Sequence, residues 1–446
     1  MSFPPGPRGL QAYRFFGGGS VARAVDFLQR TAETYGPVSS FRVLNQRICL
    51  VDDAELIKQV LVTDQALYTR DNGAMMLREL VGDGLLTSDE PRHKERRRAM
   101  QPAFHRAQIG SYADAMVTET QRAMSHWKPG HSLDIGAEMK RLTLAIVGAA
   151  LFGVDFGDNT ARVATVLQRA IRRAARVSLL LPILEPWLVR YRRSYPKGRS
   201  LFFEGERREL EEIIRPILNQ RQSERANDVL SLLLQYAGDP DNPLSEDDIR
   251  NEVVTLVLAG HETTATALTW AWYLIAKHRE VEHKLQNEAN SALGGRPPAL
   301  EDLPNLTYAA AVFSEALRLY PPALAFGRRP VRDVGLGGYT IPARTSVILS
   351  PYITHRNPRY FDRPADFLPE RWLQESQPPK FAYFPFGGGA KMCIGDGFAK
   401  MEGVLVLTAI AQKWRLTCDL EANVGVRPGI TLGPDRVIPM TPVPVY

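Results

Sequence analysis

The spacing of apolar residues along the chain predicts a mainly helical protein with a few short β-strands. In most periodic segments, apolar residues recur at three- and four-residue intervals, as they do along one face of a helix. Residues 38–43 and 48–51 are instead β-prone runs joined through Asn45-Gln46, and a smaller pair of such runs surrounds Gly337-Gly338. Both pairs are predicted hairpins.

Two of the predicted helices are well delimited by their end signals. The longer one begins at Ser245, a cap residue that three acidic residues follow in the first turn. Its pattern reaches Lys277, which makes it roughly 50 Å long at the usual rise per residue. The second is predicted from Leu306 to Tyr320, where two consecutive prolines stop it.

Length and composition indicate a folded protein of ordinary type. The chain has 446 residues, 44% hydrophobic and 23% charged, and no linker separates halves of contrasting composition. We therefore predict a single domain over residues 1–446. No run approaches the roughly 18 apolar residues of a membrane span, so residues 142–154 are predicted to be a buried core helix.

The cysteine count and the net charge limit the kinds of site and partner that the chain can have. Three cysteines are too few for a disulfide framework or a zinc cage, and Cys49 and Cys418 are predicted core or edge thiols. The net charge is +6, and the arginine-dense segments 92–106 and 162–225 alternate with glutamate and apolar residues. That pattern favours solvated helical faces or an acidic protein partner over nucleic acid. We expect a cytoplasmic monomer with no membrane anchor.

The segment 384–395, Phe-Pro-Phe-Gly-Gly-Gly-Ala-Lys-Met-Cys-Ile-Gly, carries the clearest chemical signal. Three glycines permit a tight backbone path close to a flat ligand. An amphipathic helix is predicted after Cys393, and the N–H groups at its N-terminus favour a thiolate over a thiol. Taken alone, the pattern leaves open a structural thiol or a phosphate loop, although Lys391 is not followed by Ser or Thr.

With Phe386, Gly389 and Gly395 around it, Cys393 resembles the haem-binding signature of the cytochrome P-450 family. In that family the cysteine thiolate is an axial ligand of the haem iron. The resemblance implies a mainly α fold with small β-sheets, shaped as a triangular prism. It also implies haem b (iron protoporphyrin IX), held between the long central helix and the helix after the cysteine loop.

Further residues are implied to hold the cofactor. The resemblance assigns Phe386 and Gly387 to the loop beneath the haem and makes Cys393 the metal ligand. The family usually has Arg or His where this chain has Lys391, which can still neutralise a propionate as a point charge. The other implied propionate contacts are His93, Arg97 and Arg328. His93 and Arg97 share a helix face, although a solvated basic helix would show the same pattern.

Glu315 and Arg318 lie three residues apart and can meet on one helix face. Spacing alone does not distinguish a surface ion pair from a buried one. The resemblance identifies them with a buried structural network whose third member is Arg371. It also makes 355–358 structural.

Residues 259–264, Ala-Gly-His-Glu-Thr-Thr, place glycine and two threonines at the centre of the long helix, where they weaken it. We interpret this as a local opening for a small ligand, with a chance polar patch as the alternative. The resemblance implies that Thr263 hydrogen-bonds the oxygen species at the iron and that Glu262 relays protons. His261 is expected to face away from the haem.

The segments that would face a substrate by analogy are apolar, which suits a terpenoid, fatty acid, steroid or polyketide. Each residue could equally belong to the core. The predicted substrate contacts are Met75, Leu80, Leu181, Leu258, Ala259, Leu324, Ala325, Phe326 and Ile430.

The resemblance implies a monooxygenase that inserts one atom of O2 into such a substrate. Electrons are expected from a separate ferredoxin and its reductase, docking on a basic surface over Cys393 with Lys391 and Lys400. A peroxygenase or isomerase on the same scaffold is the nearest alternative, and a haem-based sensor or carrier is another. The Glu262-Thr263 pair favours monooxygenation, because a sensor or carrier needs no proton relay.

Overall fold

The computed structural model describes residues 2–7, 22–43, 46–155, 162–163, 165–167, 169–170, 173, 200, 202–221, 228–237 and 244–445. Within these residues the chain is mainly helical with small sheets, as predicted. The helices are α1 (Ala22–Tyr35), α2 (Ala54–Lys58), α3 (Asn72–Val81), α4 (Arg92–Met100), α5 (Arg106–Gly110), α6 (Ala113–Met124), α7 (Ile135–Phe152), α8 (Glu204–Arg221), α9 (Val229–Ala237), α10 (Glu246–Lys277), α11 (Arg279–Leu293), α12 (Thr307–Leu319), α13 (Pro351–Thr354) and α14 (Asp396–Lys413). None of these helices is long and apolar enough to cross a membrane.

The strands form four small sheets, and both predicted hairpins are present. They are β1 (Val38–Val43), β2 (Gln46–Val51), β3 (Tyr68–Arg70), β4 (Leu133–Asp134), β5 (Phe326–Pro330), β6 (Val334–Leu336), β7 (Tyr339–Ile341), β8 (Ser346–Leu349), β9 (Trp414–Thr417), β10 (Val426–Pro428), β11 (Leu432–Pro434) and β12 (Pro439–Pro444). Their orders are β1-β2-β8-β5-β3, β4-β12-β9, β6-β7 and β10-β11. The first hairpin pairs β1 with β2, and the second pairs β6 with β7.

The long helix α10 has the predicted start, closed by a capping box between Ser245 and Asp248. It runs to Lys277 without a break, so the predicted opening at 259–264 is wrong. Thr263 is accommodated by donating its hydroxyl to the Ala259 carbonyl one turn earlier at 2.7 Å, whereas the Thr264 hydroxyl interacts with Glu402. Gly260 serves close packing instead, because a Cβ there would lie 2.9 Å from Val147 of α7.

The main core lies where α6, α7, α10, α12 and α14 meet. Representative side chains from these five helices have no accessible surface: Met116, Ile146, Leu268, Val312 and Leu405. Burying an aliphatic side chain of this size contributes roughly 1.5–3 kcal/mol. The long helix and the helix after the cysteine loop are therefore both fixed by the same core.

Candidate active site

The cysteine loop follows a backbone path that is fixed at several points. The Cys393 N–H donates to the Phe386 carbonyl at 3.0 Å, and the Ala390 N–H donates to the Gln65 side chain at 2.9 Å. Gly389 has a φ of 69°, and a Cβ there would lie 1.8 Å from the Leu61 carbonyl oxygen. Only glycine can occupy that position without moving the neighbouring chain.

Cys393 lies just before α14, as predicted, and its side chain is accessible. Burial nevertheless raises the pKa of its thiol, so the accessible surface opens on an interior space rather than on bulk water. The Gly395 N–H and the charges of Arg97 and Lys400 oppose this rise in pKa but do not cancel it. The predicted stabilisation of the thiolate by the helix end is therefore outweighed, and a coordinating metal would have to supply it.

A buried carboxylate beneath this loop is fully hydrogen-bonded. Glu315 and Arg318 have no exposed side-chain surface and meet through two hydrogen bonds of 2.8 Å. Glu315 also accepts from the Arg371 guanidinium at 3.0 Å, the Trp372 indole at 2.8 Å and the Leu368 N–H at 3.0 Å. The three residues of the predicted network thus lie together, with Trp372 as an additional member.

This network reaches the cysteine loop through a histidine. Arg318 donates to the His355 carbonyl at 2.8 Å, and the His355 ring accepts the Phe384 N–H at 2.9 Å. Burial, followed by Arg318, lowers the pKa of His355 well below its ordinary value, which keeps the ring neutral and able to accept. The first residue of the segment 384–395 is therefore held by the buried ion pair.

Several basic side chains gather at one side of the loop. His93 and Arg328 are buried, and Lys391 is 11% exposed with its ammonium 3.3 Å from Asp89. Burial and then Arg70 lower the pKa values of both His93 and Lys391, so these groups repel one another across the cluster. The prediction that Lys391 also lies on a docking surface is wrong, because its side chain turns inward.

Arg70 belongs to this cluster and was not predicted. It donates to the carbonyls of Ser88 and Leu85 at 3.0 and 3.1 Å, and burial and then Arg328 lower its pKa to about 10. No motif marks Arg70; it is placed there by the pairing of β3 with β5, which sets Arg70 opposite Arg328.

The remaining predicted cation, Arg97, donates to the Met392 carbonyl at 2.6 Å. Four cations, Arg70, Arg97, Arg328 and Lys391, outnumber the nearby carboxylates of Asp71, Asp89 and Glu90, which suits the two propionates of a haem. A thiol that faces an interior space and a glycine-lined loop complete a set of donors that fits haem.

The long helix presents a second accessible surface inside the molecule. From Glu252 to Ala276 its residues are buried, with the exceptions of Ala259, Gly260 and Thr263. These three share one face of the helix, so they form an accessible stripe in the core. The predicted oxygen-activating segment thus faces interior space.

His261 and Glu262, which lie between Gly260 and Thr263 in the sequence, are directed away from this stripe. His261 is 1% exposed, and its carbonyl accepts the Thr143 hydroxyl of α7 at 2.9 Å. Burial lowers the pKa of His261 to about 4. The Glu262 carboxylate lies 3.0 Å from the Lys140 ammonium, also on α7. The expectation that His261 faces away from the stripe agrees with this geometry.

The predicted substrate residues divide into groups. Ala259, Leu324, Ala325 and Ile430 are partly or fully accessible. Leu80 and Leu258, at 1% and 3% exposure, pack into the main core, so they have no surface to offer a substrate.

Phe326 is partly exposed and packs near Gly387 and Phe384 of the cysteine loop, and its contact with a substrate stays a prediction. Leu181 and the side chain of Met75 lie outside the described residues.

A second buried carboxyl, Glu402 on α14, was also not predicted. Neither of its oxygens has a partner at hydrogen-bonding geometry among the described residues. Burial raises its pKa well above the ordinary value, and the Thr264 hydroxyl opposes this only in part. Its sequence context is apolar helix on both sides, so no local pattern distinguishes it from a surface glutamate.

The comparisons with known proteins agree with this site. A model of the cytochrome P-450 family matches residues 4–433. Cyclooctatin synthase of Streptomyces melanosporofaciens is 36% identical over 418 residues, covering 91% of this chain and 89% of that relative. A cyclooctat-9-en-7-ol 5-monooxygenase of the same organism is 34% identical over 406 residues, covering 88% and 85%.

Pentalenene oxygenase of Streptomyces avermitilis is 32% identical over 377 residues, covering 83% of this chain and 82% of that relative. The family model and these relatives match along nearly the whole sequence. They confirm the predicted monooxygenase. This chain therefore belongs to the cytochrome P-450 family, whose members bind haem, and it is a monooxygenase of that family.

Proposed function

We propose that the protein oxidises a terpenoid, inserting one atom of O2 as a hydroxyl or an epoxide. The observation that carries this is the accessible stripe of Ala259, Gly260 and Thr263 inside the core. Apart from the Thr263 hydroxyl this stripe is apolar, and the accessible segments Leu324–Ala325 and Ile430 are apolar as well. Two of the relatives are named for pentalenene and for cyclooctat-9-en-7-ol, which supports a cyclic hydrocarbon or its alcohol as the substrate.

In this proposal the haem lies between the cysteine loop and the stripe. When bound, haem supplies the activation of dioxygen at its iron, with electrons delivered from outside. Cys393 would ligate the iron. His93, Arg70, Arg97, Arg328 and Lys391 would hold the propionates by charge-assisted hydrogen bonds.

On the long-helix side of the haem, side chains of the protein would supply a proton. Thr263 donates its hydroxyl to the Ala259 carbonyl, and rotation about its side chain would aim the same group into the space along the stripe. Glu262 is the neighbouring acid and would move the proton between solvent and that space. The apolar residues would orient the substrate and exclude bulk water.

We further propose that an acidic ferredoxin docks over the cysteine loop. Phe104 and Ile109 pack against Gly395 and Gly397, so the segment that contains them borders the loop. The exposed cations on this border are Lys94, Arg98, Arg106 and Lys400. Electrostatic steering by such a rim raises association rates with an acidic partner. A cytoplasmic location remains a prediction from the sequence.

The test is a ligand screen followed by turnover. The purified haem protein is titrated with cyclic terpenes, terpene alcohols, fatty acids and steroids, and its spin state is followed by absorbance. Ligands that shift it are then incubated with a ferredoxin, its reductase and ¹⁸O2. One ¹⁸O atom in a terpenoid product is the expected result. A response confined to fatty acids or steroids would overturn the terpenoid assignment.

A further inference from the structure

The carboxylate of Glu262 is held by a cation from a neighbouring helix. Gly136 of α7 lies near Thr269 of α10, and Thr143 and Val147 of α7 lie at His261 and Gly260, so the two helices run antiparallel. This arrangement brings the Lys140 ammonium to 3.0 Å from Glu262 Oε1. The Lys140 side chain is 25% exposed and that of Glu262 is 6% exposed, so the pair links the surface to the core.

The surroundings of this pair leave polar atoms without partners. Glu262 Oε1 also accepts the Thr431 hydroxyl at 3.3 Å, but Oε2 has no hydrogen-bond partner among the described residues. His261 Nε2 lies 3.8 Å from that oxygen, and His261 Nδ1 has no partner within the described part of the chain. Buried polar atoms of this kind usually bind ordered water.

The pair also fixes the direction in which Glu262 points. The carboxylate is directed toward α7, whereas Thr263 belongs to the accessible stripe on another face of the same helix. A proton that passes from Glu262 to Thr263 must therefore move from the position beside Lys140 to the stripe. A carboxyl that turns toward Thr263 would leave its contact with Lys140.

We propose that Lys140 is a positioning residue of the proton relay, holding Glu262 as a carboxylate at the solvent entrance. A proton that enters beside Lys140 binds the carboxylate, the neutral carboxyl swings toward Thr263, and the proton is released there. The carboxylate then returns to Lys140. One proton moves inward and no electron is transferred. This inference rests on the proposed function of Glu262 in the monooxygenase.

The decisive variant is Lys140→Met. Without the ammonium, Glu262 loses the contact that holds its side chain at the solvent entrance and to which it returns after each transfer. We expect product formation to fall about tenfold, with the missing electrons recovered as hydrogen peroxide, and the solvent isotope effect on product formation to rise. The spin-state titration and KM should not change. Lys140→Arg should restore the coupling of electrons to product, and Arg141→Met, an exposed neighbour on α7, should behave as the unmodified protein.

A double-mutant cycle separates positioning from general damage. In a Glu262→Gln background, Lys140→Met should cost nothing further, because the group through which it acts is already gone. The carbonyl spectrum of the reduced protein reports the folded fraction in each variant. An additional loss in the double variant would overturn the inference.

The possible failures are distinguishable. If the unmodified protein couples electrons to product and Lys140→Met does so equally well, Lys140 has no part in the relay and the monooxygenase assignment stands. If the unmodified protein forms no product containing an atom from O2, the proposed function fails and this inference fails with it.

Discussion

Two buried glutamates, on opposite sides of the candidate haem site, differ in how completely their carboxylates are hydrogen-bonded. Beneath the cysteine loop, Glu315 is completely buried and accepts hydrogen bonds from Arg318, Arg371, Trp372 and the Leu368 N–H. On the long-helix side, Glu262 has one oxygen paired and the other without a partner within the described residues.

The network around Glu315 is suited to holding the cysteine loop in one position, whereas the surroundings of Glu262 are suited to transferring protons. A fully satisfied buried network is rigid, because every alternative arrangement loses hydrogen bonds. A carboxylate with a free oxygen can exchange partners at little cost. The cysteine loop needs the first property, because the position of its sulfur must not vary.

The largest effect is expected at the sulfur itself. Cys393→Ser removes the thiolate ligand, and the red-shifted Soret band of the reduced carbonyl adduct should disappear together with turnover. Cys418→Ser is the matched control, because Cys418 is also partly accessible but lies at the far end of α14. If Cys393→Ser kept the band, the assignment of the iron ligand would be wrong.

A second contrast lies between Glu315, which is in a buried ion pair, and Glu402, whose oxygens have no hydrogen-bond partner among the described residues. The same substitution at both positions tests it. Glu315→Gln should lower the free energy of unfolding by about 3–5 kcal/mol, because it leaves the buried guanidinium of Arg318 without its counter-charge. Urea denaturation of the apoprotein measures this loss.

Glu402→Gln should cost less than about 1 kcal/mol by the same measurement, because burial raises the pKa of Glu402 and so favours the neutral carboxyl, which a neutral amide resembles. Equal losses for the two variants would mean that Glu402 is charged, and therefore that it has a partner.

On the long-helix side, the comparison can be extended by measuring how the free energy of unfolding depends on pH. Burial lowers the pKa of His261 to about 4, below the ordinary 6.5 that applies in the unfolded chain. The neutral ring therefore contributes its full stability above pH 6.5, and the contribution is lost as pH falls toward 4. Between pH 7 and pH 5 this loss amounts to about 2 kcal/mol.

In His261→Gln that part of the pH dependence should be missing from urea unfolding curves at the two pH values. A remainder from His355, whose pKa is also lowered, should persist. His131→Gln, at an exposed histidine, serves as the control. An unchanged pH dependence in His261→Gln would show that folding does not lower the pKa of His261.

Local sequence signals predicted most of this architecture. The acidic first turn after Ser245 and the glycines before Cys393 express constraints that act over a few residues, so helix ends and the loop were recognisable. Arg70 and Glu402 were missed because their roles depend on strand pairing and helix packing between distant segments. Gly260 was assigned to a weakened helix because the sequence does not show that Val147 lies against it.

The smallest expected effect concerns the outer surface of the cysteine-loop side, where the cations face solvent instead of one another. Arg98→Gln should lower the rate of reduction by an acidic ferredoxin about three- to tenfold at low salt, because it removes one charge from the rim that steers association. Stopped-flow reduction at increasing salt concentration measures this. The gap between variant and unmodified protein should close as salt screens the charges.

Arg427→Gln, an exposed arginine on β10, should not alter the rate. A salt-independent rate would mean that the partner docks through apolar contacts or on another face. The rigid cysteine loop would then position the iron ligand without also forming the docking surface.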